Sequence, residues 1–290
     1  MREGVIIKLV SGDYSVLSDN EIIVCKARGV FRHKEIAPRV GDRVLFDPNT
    51  RYILQVLPRK NELLRPPISN VDKVFLVFSV KFPDLNLHLL DRLLSIVEYK
   101  GIEPVIIFTK IDLLEENDKL EYQKVKEYYQ KIGYRVYETS KFNEVNQKII
   151  NEINGSISVL AGQSGVGKST LLNKIEPTFN LKTAEISYAL GRGKHTTRYV
   201  ELLRVAEGWI ADTPGFGITD FEKMELSTFA RTFIEFYYLS DKCRFGSKCL
   251  HIHEPSCKVK EALQQGLILP SRYENYLSFI EEIKELNRKY

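Results

Sequence analysis

The chain has 290 residues, with 43% hydrophobic and 28% charged content and a formal net charge of +4. That balance is ordinary for a soluble protein, and the length leaves room for roughly two domains and a small third. The early apolar stretch Val5–Ile7 is broken by Lys8, so no signal peptide is read. The run Val74–Val80 is too short to cross a bilayer, so a cytoplasmic location without a membrane partner is expected.

The first 65 residues hold twelve Lys/Arg against eight Asp/Glu, whereas the other 225 hold thirty of each. The whole excess therefore sits in one segment, which points to a polyanionic partner there, although four surplus charges are also routine on a small domain. The same segment reads as short strands, Val5–Val10, Tyr14–Leu17, Ile22–Ala27, Arg43–Asp47 and Tyr52–Val56, separated by turn signals such as Ser11-Gly12-Asp13 and Asp47-Pro48-Asn49. Five such strands suit a small closed β-barrel, and the OB-fold is the common nucleic-acid-binding version. Arg28, Arg32, His33, Lys34 and Arg39 fall in one loop, and Pro58 to Asn70 reads as a linker.

From Val71 strands and helices alternate. Lys73–Val80, Val105–Thr109, Tyr134–Glu138 and Ser156–Ala161 read as strands; Leu87–Tyr99, Lys119–Ile132, Val145–Ile153 and Lys168–Ile175 read as helices. This alternation predicts a mostly parallel sheet covered by helices. Tyr199–Val205 and Gly208–Ala211 make a further strand pair, and the segment after 225 is helical apart from a Cys/His-rich loop. The expected architecture is therefore multidomain: a barrel over 1–65, an α/β nucleotide-binding domain over 70–222, and a helical metal-binding domain over 223–290.

Three motifs carry the chemistry. Gly162-Gln163-Ser164-Gly165-Val166-Gly167-Lys168-Ser169 fits the phosphate loop G-x-x-x-x-G-K-[ST] without a mismatch, and Thr170 follows it. The glycines let backbone N–H groups close round phosphate oxygens, Lys168 reaches the β- and γ-phosphates, and Ser169 ligates Mg2+. Thr109-Lys110-Ile111-Asp112 is a form of the [NT]-K-x-D element, in which a carboxylate accepts the guanine N–H donors. Thr109 stands in place of the more familiar Asn, so selectivity leans on Asp112, and an ATPase is the less favoured reading. Ser140 and Lys141, after the Tyr134–Glu138 strand, are expected to close the base pocket, with a helix-entry serine as the alternative. Asp212-Thr213-Pro214-Gly215 supplies D-x-x-G, with Asp212 on the Mg2+ side and the Gly215 amide on the γ-phosphate.

The guanine element precedes the phosphate loop, the reverse of the usual order, so the domain reads as circularly permuted. Between the phosphate loop and D-x-x-G lies Gly191-Arg192-Gly193-Lys194-His195-Thr196-Thr197, where switch I belongs. Thr197, or else Thr196, completes the Mg2+ shell. Phe216 stands where many GTPases carry the glutamine that orients water, and an apolar ring cannot do that. Slow intrinsic hydrolysis is expected, with His195 the nearest catalytic candidate beside Lys168 and Thr197; a solvated histidine or an RNA contact is the other reading of His195. The permutation also runs D-x-x-G straight into the C-terminal helices, so nucleotide state is expected to be read out as their orientation.

Cys243-x5-Cys249-x-His251-x5-Cys257 offers three thiolates and an imidazole, a tetrahedral zinc set of structural type, with His253 competing for the fourth place. Cys25 stands alone in an apolar run and reads as a small buried side chain.

Together these motifs resemble the ribosome small subunit-dependent GTPase A family, known as RsgA or YjeQ/YloQ. The resemblance also takes in Ser69-Asn70-Val71-Asp72, Leu90-Asp91-Arg92-Leu93, Cys243-Arg244-Phe245 and His253-Glu254-Pro255-Ser256-Cys257, and covers essentially the whole chain. The Cys243–Cys249 spacing is one residue longer than usual, and Ser256 stands where glycine is frequent. The resemblance implies an OB-fold, a permuted GTPase domain and a zinc domain. It further implies GTP and GDP with Mg2+ and Zn2+ as ligands, and hydrolysis stimulated by the small ribosomal subunit (16S rRNA) during its late maturation. A nucleic-acid-binding module holding nucleotide as a structural ligand is the alternative. No dimerisation signal is visible, so a monomer is expected.

Overall fold

A computed structural model describes residues 1–29, 31, 37–64, 66–179, 200–212, 221 and 224–288. Two compact units each take two stretches of chain: Met1–Phe75 with Glu144–Phe216, and Leu76–Asn143 with Gly217–Tyr290.

In the first unit, β1 (Arg2–Val10), β2 (Asp13–Ser18), β3 (Glu21–Ala27), β4 (Arg43–Asp47) and β5 (Tyr52–Val56) run in the order β1-β2-β3-β5-β4, and a β1–β4 pairing closes the barrel. β3 and β5 pair in parallel while the other pairs are antiparallel, the topology of an OB-fold. The barrel is filled by Ile6, Val16, Cys25, Val44, Phe46 and Ile53, all fully buried. Cys25 is thus an inward-facing core residue, and burial pushes its thiol above the ordinary range.

The segment expected as a linker is instead folded onto the barrel. It forms the hairpin β6 (Glu62–Leu64) and β7 (Pro67–Ser69). The reason is a buried carboxylate: Asp42 is fully enclosed and accepts bonds from Ser69 Oγ at 2.5 Å, from Arg59 Nε at 2.7 Å and from the Arg39 backbone N at 2.7 Å. A buried charge requires such partners, and the 58–70 segment supplies two of them, Arg59 and Ser69. Asn70 then ties the hairpin to the Gly41 carbonyl through Nδ2. Asp72 carries the tie onward: its backbone N donates to the Ile157 carbonyl and its Oδ2 accepts from the Ile157 N, each at 2.7 Å.

Ile157 opens β11 (Ile157–Ala161), which pairs in parallel with β13 (Gly208–Asp212); β13 pairs antiparallel with β12 (Glu201–Val205). β12 in turn pairs with β1 at Lys8↔Glu201, a register reinforced by the Lys8–Glu201 ion pair at 2.8 Å. The barrel and the strands carrying the phosphate-loop and D-x-x-G motifs therefore share one hydrogen-bonded sheet.

In the second unit, β8 (Lys73–Ser79, which begins in the first unit), β9 (Glu103–Thr109) and β10 (Arg135–Glu138) lie in the order β10-β9-β8, with β9 and β10 parallel. β8 and β9 are continuous apolar runs because both faces are covered. Helix α1 (Leu87–Tyr99) starts at Asn86, whose side chain accepts the Leu89 N–H, and α2 (Glu116–Lys131) follows. Helix α3 (Gln147–Ile153) and helix α4 (Lys168–Ile175) belong to the first unit. The C-terminal part comprises α5 (Leu226–Ala230), α6 (Ile234–Ser240), α7 (Lys258–Gln264) and α8 (Pro270–Arg288). The stripe Tyr276, Phe279, Ile280 and Ile283 of α8 is fully buried against Phe229, Phe233 and Phe236.

An ion cluster joins α8 to α1. The Arg272 guanidinium, 1% exposed, reaches Asp91 Oδ1 through Nη1 at 2.5 Å and Glu235 Oε1 through Nε at 2.5 Å. Burial works against its charge, but the two carboxylates outweigh it and keep the group protonated. Tyr129 Oη and Asn275 Nδ2 also donate to Asp91, while Tyr128 Oη donates to Glu235. The cluster packs the C-terminal helices on α1 of the guanine-element half; the expected readout of nucleotide state as their orientation is a comparison between nucleotide states.

Candidate functional site

The apolar strand β11 ends at Ala161, and the chain turns through Gly162, Gly165 and Gly167 at φ of 141°, 79° and 100°. These left-handed angles are why glycine is required: a Cβ would be strained there and would keep backbone amides from a ligand. Gly167 caps α4, whose first-turn N–H groups have no intrahelical acceptor and so favour an anion. Val166 is buried beneath the loop, Ser164 and Gly165 are exposed, and Gln163 and Thr170 are half-buried.

Lys168 folds back so that Nζ donates to the Gly162 and Gln163 carbonyls, each at 2.7 Å. Burial pushes its ammonium down to about 8, which leaves it mostly protonated at neutral pH. A phosphate placed in the loop would restore the lost solvation. The Ser169 side chain is buried in the first turn of α4, at the position suited to Mg2+.

The residues expected to read the base converge in the second unit. Thr109 is buried at the end of β9 and its backbone carbonyl accepts from the Val80 N. Lys110 takes a left-handed φ of 58°, which turns the chain into a short 3-10 turn, Ile111–Leu113, and its ammonium bonds the Phe82 carbonyl. Asp112 on that turn is exposed, and its Oδ1 accepts the Lys141 backbone N at 3.2 Å. Ser140 is buried and its Oγ accepts the Asn143 N at 3.2 Å. Two segments about thirty residues apart in sequence thus meet because parallel pairing of β9 and β10 brings their C-terminal ends together. Asp112 keeps unused acceptor capacity toward solvent, which suits the paired N–H donors of guanine.

Asp212 ends β13, but its side chain lies outside the described residues, as do His195, Thr196, Thr197, Gly215 and Phe216. The barrel-loop residues Arg32, His33 and Lys34 lie outside them as well.

The metal-ligand candidates come together. One ligand atom from each of Cys243, Cys249, His251 and Cys257 lies within 4.8 Å of the others, and all four residues are buried. His253, the competitor, is exposed. The donor chemistry fits zinc: His251 Nδ1 faces Cys257 Sγ at 3.4 Å and Cys243 Sγ at 3.8 Å, separations a tetrahedral ion with bonds of about 2.0–2.3 Å can bridge. Burial pushes His251 down to about 4, so its ring is neutral at physiological pH and its lone pair is available. Burial also pushes the Cys249 thiol up to about 12, so a divalent cation is needed to draw off its proton.

Two supporting residues escaped the sequence reading. Ser240 Oγ donates to the Phe236 carbonyl at 2.7 Å, which leaves its lone pair to take a proton from His251 Nε2 at 3.2 Å. That bond places the imidazole proton on Nε2 and turns Nδ1 to the sulfurs. Glu254 accepts from the backbone N of Leu250 at 2.8 Å and of Ile252 at 2.7 Å, bracing the turn on which His251 sits at a φ of 59°. Burial opposes the charge on Glu254, but these backbone donors hold its carboxyl below the usual range. Nearness to the ligands was the sequence signal for Ser240, which surface serines share; Glu254 also lay in the His253–Cys257 stretch of the resemblance, without its bracing role being read from it.

A family model described as RsgA GTPase matches residues 56–222, and one described as RsgA N-terminal domain matches residues 3–52. A protein of Geobacillus kaustophilus named "Small ribosomal subunit biogenesis GTPase RsgA" is 49% identical over the full length of both chains. One of Oceanobacillus iheyensis named "Small ribosomal subunit biogenesis GTPase RsgA 2" is 48% identical, again over both full lengths. The solved structure of YloQ, described as a circularly permuted GTPase, superposes with a TM-score of 0.83 at 41% identity, covering 98% of this chain and 96% of that one. YjeQ from Thermotoga maritima superposes at 0.85 with 35% identity, covering 97% and 98%.

Proposed function

Because the chain belongs to the RsgA family of GTPases, we propose that it hydrolyses GTP to GDP and phosphate in a cycle tied to docking on the maturing small ribosomal subunit. The observation that carries this reading is the phosphate loop: three left-handed glycines and a lysine held over the loop, at the head of a helix. A GTP hydrolase acting in small-subunit maturation is what family membership establishes. The assignment of residues is our own.

Gly162–Thr170 hold the phosphates, with Lys168 neutralising charge that builds on the leaving oxygens. Ser169, with Thr197 and Asp212, would hold Mg2+, which when bound neutralises the β- and γ-phosphate oxygens. Thr109 ends the strand, Lys110 packs along the base, Asp112 accepts its N–H donors, and Ser140 and Lys141 close the pocket from the backbone side. Cys243, Cys249, His251 and Cys257 would hold zinc, with no ligand position left open for catalysis. The partner surface is 16S rRNA, in a cytoplasmic protein that acts as a monomer; among the described residues no helix is long and apolar enough to cross a membrane.

The decisive experiment is GTP turnover with and without purified small subunits at two salt concentrations. Stimulation that falls steeply with salt supports docking on phosphate backbone; equal turnover in both arms counts against a cycle tied to docking and favours the alternative, a nucleic-acid-binding module with nucleotide as a structural ligand. With subunits present, His195→Ala is expected to lower turnover while nucleotide affinity holds, and unchanged stimulated turnover would remove His195 from the catalytic set.

Asp112 offers an independent check. Asp112→Asn should weaken GTP binding by at least about 100-fold, because the amide presents a donor where guanine also donates. Xanthosine triphosphate, whose ring carries a carbonyl at that edge, should bind the variant better than GTP does. Retention of GTP preference would show that Asp112 does not read the base.

A further inference from the structure

Three large aromatic side chains lie exposed within nine residues of the metal cluster's first arm. Tyr237, Tyr238 and Phe245 are 44%, 66% and 49% exposed. Tyr237 and Tyr238 meet edge to face on α6, with ring centroids 5.6 Å apart at 66°. The Arg231 guanidinium stands 4.8 Å from the Tyr237 ring centroid, and that of Arg244 stands 5.9 Å from the Phe245 centroid. Lys242 and Lys248 are exposed between and beyond them. Of the two carboxylates in 231–248, Asp241 is exposed, whereas Glu235 turns inward to Arg272.

None of these rings contributes to the folded core, and each costs hydration free energy where it stands. Aromatic rings and arginines also occur in interfaces between proteins, but the exposed Lys242 and Lys248 do not fit one, since lysines are depleted there. Arginine and lysine beside exposed aromatic faces match a polyanion whose bases offer π-faces. A duplex hides those faces in its own stack, whereas unpaired bases present them. The platform is also held in place from below. α6 ends at Ser240, which bonds His251, and Arg244 and Phe245 directly follow the ligand candidate Cys243.

We propose that Tyr237, Tyr238 and Phe245, with Arg231 and Arg244, form a stacking platform for unpaired bases of single-stranded RNA, separate from the basic barrel. The identity of that RNA as part of the small subunit rests on the function proposed above; the platform chemistry does not.

The test is fluorescence anisotropy of the full-length, metal-loaded protein with a short labelled oligouridylate and with a labelled RNA duplex. Tyr238→Ala and Phe245→Ala should each weaken oligouridylate binding roughly 5- to 150-fold, the range for loss of one stacked base. Tyr238→Phe, which keeps the ring, should bind like the parent, and duplex binding should not change in any of the three. Arg231→Ala and Arg244→Ala should flatten the salt dependence. Metal content and melting temperature check that these surface variants stay folded. Alanine variants that bind oligouridylate like the parent, or lose oligouridylate and duplex equally, would overturn the platform. So would weakened docking on small subunits with oligouridylate binding intact, which would place a protein on this face. Unstimulated GTP turnover in the parent would instead count against the proposed function, whatever the anisotropy shows.

Discussion

Cys249→Ser is expected to leave the chain without zinc and to unfold the region from α5 to α8. The four candidate ligands are buried among the aromatic side chains of one core, so the metal and that core form together. Structural zinc supplies an apparent ~10–16 kcal/mol in small domains, comparable with the roughly 5–15 kcal/mol by which a whole domain is stable. Replacing one thiolate removes most of that and leaves two buried thiols and an imidazole facing each other. Metal analysis, far-UV circular dichroism and limited proteolysis would read the result; a variant that stays protease-resistant over 224–288 would show that the cluster is dispensable. Acid should act in the same direction. Burial holds His251 at about 4 in the folded chain, against about 6.5 when unfolded. Below pH ~6.5 the unfolded chain therefore binds more protons, and stability falls as the pH drops toward 4.

Arg272→Met should lower the melting temperature by on the order of 10 °C, the consequence of losing about 3–5 kcal/mol when one member of a buried ion cluster is removed. The methionine fills much of the volume, so the loss is electrostatic: Asp91 and Glu235 remain enclosed, with only tyrosine and asparagine donors left to them. Arg272→Lys should not rescue, because separate guanidinium nitrogens reach the two carboxylates. The triple variant Arg272→Met, Asp91→Asn, Glu235→Gln should recover much of the stability, since no buried charge is then unpaired. Calorimetry of the three proteins settles it. A single variant melting within about 2 °C of the parent would mean that water or a rearranged side chain replaces the guanidinium.

Asp91 shows how far sequence reading reached. Leu90-Asp91-Arg92-Leu93 was legible as part of a family pattern, yet nothing in it said that Asp91 is buried or that its partner lies 181 positions away. The same holds for Asp42: the stretch 58–70 has the proline and charge of a linker, and only a fully enclosed carboxylate calling for donors makes it a hairpin. By contrast the helices Leu87–Tyr99 and Lys168–Ile175 and the strands Arg43–Asp47 and Tyr52–Val56 have the bounds that periodicity and turn residues predict. Those signals are local, since apolar period, capping residue and glycine act within a few positions.

By itself the sequence determined which motifs this protein carries: a phosphate-loop pattern, a T-K-x-D element ending in Asp112, a Cys3His set, and the reversed order in which the first two occur. Each is a short stretch whose backbone requirements are met by its own residues. Only the tertiary structure decided how the chain divides around them. The barrel shares its sheet with the phosphate-loop strand, and the C-terminal helices close on the guanine-element half. The first follows from β1–β12 pairing at Lys8 and Glu201, the second from the buried Arg272 cluster, just as the buried Asp42 folds the 58–70 stretch onto the barrel. A charge removed from water takes its partners from wherever the fold brings them, and sequence spacing carries no trace of that choice.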